Sequence, residues 1–422
     1  MRTVRRGGEV PRVRGRSVLG RRAGSAALAV ALATAAAACG GSGGAAAPTA
    51  EGGSVAAAHN AVRPWSRLTP LADPRAYQGP TTAKVSDADI SPVTTTPHPV
   101  LPAEVVDHQG TKVTVRSTDR ILALDLYGTL SATVYGLGLG PHLVGRDQST
   151  GFPEAAKLPV VTGSTHQLNA EAILKLHPTV LVTDTTLGPW DVVLQMRSAG
   201  IPVVVVSAER GIGTVGSLVG EVAAALGVEP EGRLLAQRLD RQIAAERAQI
   251  AKVVPADPSR RPRIVFLYAR GQAGVYYVFG KGSGADSLID AVGGVDVATE
   301  AGIKGFSPLN AEALAKAEPD VILMMTLGLK SVGGVDGALR LPGVAETEAG
   351  KHRRIVDMSD YQVLSFGPLT APVLDGLARA LYAPGQDDAA KTATGAASAT
   401  PTPTATATAS APAPATATGG AR

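Results

Sequence analysis

A stretch of fifteen residues occurs twice in this chain, and the repetition constrains the fold more than any other feature. Leu168-Asn169-Ala170-Glu171-Ala172-Ile173-Leu174-Lys175-Leu176-His177-Pro178-Thr179-Val180-Leu181-Val182 returns 141 positions later as Leu309-Asn310-Ala311-Glu312-Ala313-Leu314-Ala315-Lys316-Ala317-Glu318-Pro319-Asp320-Val321-Ile322-Leu323. In each copy the Asn is placed to cap a helix, since its side-chain oxygen accepts from an amide of the first turn. The Glu two places on lies where the helix dipole favours negative charge. The Pro stops the helix. The apolar run after it is too short for a buried helix and reads as a strand covered on both faces. An internal repeat of this length predicts two similar lobes, each with its own sheet, and a cleft between them.

The ends of the chain are of another kind. Residues 1–25 hold eight Arg and one acid, Glu9, and residues 26–38 are an uncharged Ala-rich run followed by Cys39. A basic segment, a short apolar segment and small residues before a cut site predict a secretory signal over 1–39. Thirteen mostly Ala residues are too few to span about 30 Å of hydrocarbon. Cys39 is the single cysteine, so the exported chain has no internal disulfide. Its place after Ala36-Ala37-Ala38 resembles a bacterial lipobox, which implies lipidation of Cys39 and anchoring to the outer face of the cytoplasmic membrane. The formal charge of +4 falls to about −3 once the signal is removed, so the basic balance is no argument for nucleic acid. Residues 40–62 read as a flexible tether, and 63–111 as an irregular arm packed against the first lobe. Residues 385–422 are Ala-Thr-Pro repetition that cannot bury a core and are expected to be disordered.

Between these ends lie a first lobe (112–226), a connecting segment (227–256) and a second lobe (257–384). In the first, Ile121-Leu122-Ala123-Leu124 reads as a strand, followed by an Ala/Leu/Gly helix and a strand at Leu143-Val144-Gly145. The first repeat supplies strand Val180–Thr183. A helix Val192–Ser198 and the apolar strand Pro202–Val206 follow. Strands alternating with helices predict a mostly parallel sheet, hence an α/β fold with two Rossmann-like lobes. Residues 229–252 carry Leu234, Leu235, Leu239, Ile243 and Ile250 at helical spacing. They predict one helix about 35 Å long joining the lobes. The second lobe opens on strand Arg263–Tyr268 and continues through a hairpin over 274–280, a helix over 283–292, the second repeat and a closing helix Thr370–Tyr382.

This order of elements, with paired Leu-Asn-Ala-Glu helices and one connecting helix, resembles the substrate-binding proteins of ATP-driven iron-siderophore, haem and cobalamin importers. The resemblance covers residues 112–383. It is greatest to the haemin-binding lipoproteins of actinobacteria, through Gly163-Ser164-Thr165-His166-Gln167-Leu168-Asn169-Ala170-Glu171 and Phe266-Leu267-Tyr268-Ala269-Arg270-Gly271. In that family a His of the first lobe and a Tyr of the second bind haem iron from opposite faces, and an Arg two places after the Tyr supports it. The resemblance implies these roles for His166, Tyr268 and Arg270, with ferric haem b as the transported ligand. It also implies that Glu171 and Glu312 dock onto Arg residues of an ABC permease, which works with its ATPase subunit. A monomer is expected.

The chemistry fits those residues. Imidazole and phenolate both ligate haem, and phenolate suits Fe(III). Forming phenolate near pH 7 from a group with a pKa of about 10 costs roughly 4 kcal/mol; iron offsets most of it, and a neighbouring guanidinium helps. Tyr-x-Arg on a strand puts both side chains on one face. Taken singly each residue has a plainer reading. A His before a helix is more often a solvent-facing or capping residue, a Tyr at a strand end is usually rim packing, and Glu171 and Glu312 are ordinary helix-dipole acids. Tyr276, Tyr277 and Tyr361 compete with Tyr268, and His142, His177 and His352 with His166. The second binding hypothesis is a siderophore or cobalamin carrier, for which Arg270 and Trp190 are the available groups. The enzyme reading finds no nucleophile elbow, no phosphate loop, no His-Glu-x-x-His and no cysteine outside the lipobox.

Overall fold

The computed structural model of the protein describes residues 63–386, apart from 86, 87 and 164. The signal, Cys39, the tether to Val62 and nearly all of the Ala/Thr/Pro tail lie outside the described residues. In chain order the strands are β1 (Thr81–Ala83), β2 (Ala103–Val106), β3 (Lys112–Val115), β4 (Ile121–Leu124), β5 (Val180–Thr183), β6 (Val203–Val205), β7 (Arg263–Arg270), β8 (Val275–Phe279), β9 (Val295–Asp296), β10 (Phe306–Pro308), β11 (Val321–Met325) and β12 (Ile355–Met358).

The first lobe carries the parallel sheet β4-β5-β6, with Ile121 opposite Val180 and Leu181 opposite Val203. Every residue of these strands is buried. The period-2 alternation sends Ile121, Ala123, Val180 and Val182 to one core cluster and Leu122, Leu124, Leu181 and Val203 to another. The second lobe has a seven-stranded sheet in the order β1-β12-β11-β7-β8-β10, with β9 also on β7. Its centre is parallel, while β8 and β10 run antiparallel to their neighbours. The two repeats fold alike. Asn169 Oδ1 accepts from the Ala172 amide at 2.9 Å, and Asn310 Oδ1 from the Ala313 amide at 3.0 Å. Both helices end in the left-handed region, at His177 (φ 44°) and Glu318 (φ 47°), so the repeat extends to the backbone of its C-terminal turn.

The connecting helix spans Glu229–Ile250 and buries Gly232, Leu235, Leu239, Ile243 and Ile250. Leu234, expected on that stripe, is 56 % exposed; it lies one position, about 100° of helical turn, off the inward face. Gly232 permits a close crossing, because a Cβ there would come within 2.4 Å of the Ala223 Cβ. Leu235, Leu239 and Ile243 belong to the same apolar cluster as Ile121 and Val180 of the first sheet and Phe266, Val321 and Val356 of the second. One continuous core therefore runs through both lobes.

Two segments differ from expectation. Leu143-Val144-Gly145 is not a strand and keeps only a bridge from Leu143 to Ile121; the Gly140–His142 turn before it delivers too little extended chain. The arm does not stay on the first lobe. Its β1 pairs parallel with β12 of the second lobe, and Trp65 Nε1 donates to Asp375 at 2.8 Å. Its later part reaches the first lobe, where the Val93 amide bonds Gly136 O and the His108 amide bonds Val205 O. Gly138 (φ 94°) is what lets it in, since a Cβ would lie 2.3 Å from Thr94 O.

The C-terminal ends of the first sheet meet in a buried ion cluster. Asp125 follows β4, Asp184 follows β5, and Arg210 Nη2 lies 3.3 Å from Asp125 and 2.5 Å from Asp184, with none of the three side chains more than 1 % exposed. Burial pushes the Asp125 carboxyl up and Arg210 opposes it. Removing the shared cation strands two buried carboxylates. Arg210→Met is therefore expected to cost about 3–5 kcal/mol in urea unfolding; a loss below about 1 kcal/mol would show the cluster to be solvated.

A second acid titrates against the fold. Glu246, on the connecting helix, has one carboxylate oxygen buried without a hydrogen-bond partner. Burial and then the charge of Asp375 raise its pKa from 4.5 to about 7, against the pull of Arg379. A raised folded-state value means that the native state holds the proton longer. Stability is then lost as pH rises from about 4.5 to about 7. Glu246→Gln should leave the urea midpoint nearly unchanged at pH 4 and raise it at pH 8. Equal shifts at both pH values would refute this.

Candidate functional site

Besides the shared core, two loops bring the lobes into close contact. A Cβ at Gly151 of the first lobe would fall 2.4 Å from the Cβ of Tyr361 in the second, so only glycine admits the contact. The predicted ligand residues flank this junction. On the first-lobe side, His166 ends a tight loop in which its amide bonds Gly163 O at 2.9 Å and the Gly163 amide bonds Gln167 O at 2.8 Å. The loop forces His166 to φ 61°, a left-handed conformation costing on the order of 1 kcal/mol for a residue with a Cβ. The cap of the next helix by Asn169 fixes where that loop must end.

The ring of His166 is 24 % exposed and directs Nδ1 toward Asp147, 3.5 Å from Oδ2, and toward Ser149 Oγ at the same distance. Asp147 is fully buried, and it accepts from the Ser149 amide (2.5 Å) and the Thr162 hydroxyl (2.8 Å). Burial opposes its ionisation, yet the hydrogen bonds from His166, Ser149 and Thr162 outweigh it and hold the carboxyl below its usual range. With Nδ1 facing a carboxylate, Nε2 is the nitrogen left for a ligand, and the partner fixes the orientation of the ring.

On the second-lobe side, β7 places Tyr268 and Arg270 on one face, as the alternation predicts. The Arg270 guanidinium lies over the Tyr268 ring, 4.5 Å from its centroid. Asp360 orients that guanidinium at 3.1 Å and also accepts the Leu327 amide at 2.7 Å. The other face of the ring stacks on Phe279, with centroids 5.8 Å apart and planes 16° apart. The Tyr268 hydroxyl has no hydrogen-bond partner among the described residues. A phenol pinned between a cation and an aromatic ring, with its oxygen unengaged, can present that oxygen as phenolate to a hard cation.

The competing residues are placed otherwise. His177 closes a helix in the left-handed region, and the His352 carbonyl accepts the Gly79 amide far along the arm. His142 ends the turn Gly140–His142. Tyr276 packs with the core on the opposite face of the second sheet, and Tyr277 pairs across β8 with Tyr268 itself. Tyr361 stays at the junction, adjacent in sequence to Asp360. Trp190, the aromatic offered for an anionic chelate, has Arg197 over its ring at 5.9 Å. Glu171 and Glu312 lie in the first turns of the repeated helices, both exposed. Neither carboxylate has an ion-pair partner among the described residues. Asp147, Asp360 and Phe279 were not singled out from sequence. Their only local signal is chain proximity to a loop or strand whose partners the sequence does not name.

The periplasmic binding protein family matches residues 126–361. The crystal structure of the haem-binding protein HmuT superimposes with a TM-score of 0.70 at 42 % identity, over 74 % of this chain and 99 % of that one. HmuT has also been solved with an arginine, a tyrosine or a histidine replaced. The periplasmic haem-binding protein RhuT of Roseiflexus sp. RS-1, in apo form, gives a TM-score of 0.58 at 37 % identity, over 63 % of this chain and 98 % of that one. An uncharacterised ABC transporter substrate-binding lipoprotein, YvrC of Bacillus subtilis strain 168, is 23 % identical over 285 residues, 67 % of this chain and 86 % of that protein. Two lobes with buried parallel sheets, one connecting helix and a match over more than half the length all agree: the chain belongs to the periplasmic binding protein family.

Proposed function

We propose that this protein captures ferric haem between its lobes, with Nε2 of His166 and the phenolate of Tyr268 as opposite axial ligands, and delivers it to an ABC permease. The observation that carries this reading is a Tyr268–Arg270–Asp360 arrangement in one lobe and a His166–Asp147 pair in the other, with Asp360 next to Tyr361 and Ser149, the neighbour of His166, two residues before Gly151 at the contact between the lobes. A phenolate under a guanidinium suits Fe(III), and an imidazole backed by a carboxylate is a strong second donor. HmuT, a haem-binding protein, has been studied through the same three residue types, which supports the assignment. The chain is read as a carrier and not an enzyme. A lipid on Cys39 would hold it at the outer face of the cytoplasmic membrane. Among the described residues no helix is long and apolar enough to cross a membrane. We read the carrier as a monomer with three parts: a first lobe over 112–226, a connector over 227–256 and a second lobe over 257–384. A siderophore carrier is disfavoured because Arg270 is held by Asp360 and Trp190 by Arg197.

The test is an absorption titration of the purified protein with haemin. One equivalent should bind. Tyr268→Ala should alter the Soret and charge-transfer bands and raise haem loss by at least about tenfold, or about 1.4 kcal/mol. His166→Ala should leave a five-coordinate, Tyr-bound spectrum. If both variants keep the parent spectrum, Tyr361 becomes the ligand to test.

Glu171 and Glu312 are separable from ligation. An exposed carboxylate that meets a permease Arg forms a charge-assisted, two-pronged contact, and truncating such a pair costs about 2–5 kcal/mol. The double variant Glu171→Ala with Glu312→Ala should keep the haem spectrum and lose stimulation of the permease ATPase. Normal stimulation would reduce these acids to helix-terminal charges.

A further inference from the structure

The face of the second sheet that holds Tyr268 does not end there. Register places Phe266, Phe279 and Phe306 in one row across β7, β8 and β10, and Tyr268 and Tyr277 in the next. The rings touch in series. Phe279 stacks on Tyr268, Phe306 lies 5.9 Å from Phe279, and Tyr277 meets Phe306 edge-on at 5.7 Å. Burial falls along the series, from Phe266 at 0 % exposure to Phe306 at 66 %. Phe306 sits on the edge strand β10. An exposed Phe at the end of an aromatic row is an apolar surface lacking a cover.

The next positions outward are cationic. A backbone bridge joins Lys281 to Lys304, two residues beyond Phe279 and two before Phe306. Both lysines are exposed, and neither has an ion-pair partner among the described residues. Two like charges on bridged positions repel, so their placement is unfavourable without an anion between them. Lys281 lies two residues past the end of β8 and four from Tyr277, the partner of Tyr268. A ligand gripped at Tyr268, flat enough to cover the rings and anionic at its far edge, would satisfy every one of these groups.

We propose that Tyr277, Phe279 and Phe306, with Lys281 and Lys304, form a rim shelf that selects for a planar macrocycle bearing carboxylates. The rings cover its apolar edge, and the lysines bind its carboxylates. This rests on the haem reading above and adds the residues that set specificity outside the axial ligands. The shelf holds the ligand's edge and does not touch the iron, so its loss changes retention and leaves the spectrum alone. Lysine fits the role, since exposed point charges on flexible stems adjust to carboxylates that are themselves flexible.

The experiment uses the purified protein loaded with haemin or with haemin dimethyl ester, in which both carboxylates are blocked. Loss to excess apomyoglobin is followed. The parent should lose the ester faster than haemin. Lys281→Glu with Lys304→Glu should raise haemin loss by about tenfold, as the loss of two charge-assisted contacts and the gain of two repulsions implies. It should also remove the parent's preference for haemin over the ester and reverse it, since the acids repel only free carboxylates. The Arg pair should restore that preference. Phe306→Ser should speed loss of both ligands alike, and all these variants should keep the parent Soret band. If the parent binds haemin and every variant loses it within about twofold of the parent rate, the shelf is refuted and the haem reading stands. A parent that fails to take up haemin overturns both.

Discussion

The architecture depends on one apolar cluster that does not stop at the lobe boundary. Leu235, Leu239 and Ile243 of the connecting helix belong to the same buried set as the inner faces of both sheets. Two lobes tied by flexible strands could hinge freely, because few contacts would be lost. Here large relative motion would open a continuous core, at about 25 cal/mol for each square ångström of apolar surface exposed. The helix, 22 residues long, is also about 33 Å of stiff spacer. The arm adds to this by pairing β1 with the second sheet and bonding the first lobe at Gly136 and Val205. Lobes held this way keep their relative placement, so a ligand bound by groups of both would spend little ordering entropy.

Such rigidity suits the chemistry at the junction. An axial pair from two lobes works only if both donors are presented at a fixed separation, and each donor proposed here is held by its neighbours. His166 is set by a loop at positive φ and by Asp147; Tyr268 is set by Arg270 on one face and Phe279 on the other. In the proposed site neither lobe suffices alone. The first offers a basic nitrogen with a carboxylate behind it, and the second an oxygen with a cation beside it. The polar groups that support these donors are themselves buried and bonded, as Asp147 and Asp360 show, so their orientation costs nothing when a ligand enters.

Beyond the proposed ligands, the fold fixes further groups at its surface. The repeat fixes two exposed carboxylates at equivalent helix starts, while the aromatic row fixes an apolar edge that grades outward into two lysines. The ion cluster of Asp125, Asp184 and Arg210 closes the strand ends of the first sheet. Its proton balance and that of Glu246 make stability sensitive to pH without involving a ligand group.

The sequence by itself determined what is local or periodic. The repeat determined two capped helices with buried strands behind them, because an Asn at the cap and a Pro after the helix act on backbone groups a few residues away. The spacing of Leu235, Leu239 and Ile243 determined one long helix, and the alternation Tyr268-Ala269-Arg270 put phenol and guanidinium on one face. Tertiary structure decided whatever depends on residues far apart in the chain. Nothing near Thr81 announces β12 as its partner, and Gly138 needs its positive φ only because Thr94 arrives from the arm. The charge on Asp147 is held against burial by donors at three separate positions, and Phe306 joins the aromatic row only through the register of β10 on β8. Short-range rules leave a signature in the residues that obey them; a contact across 100 residues leaves one only in the folded chain.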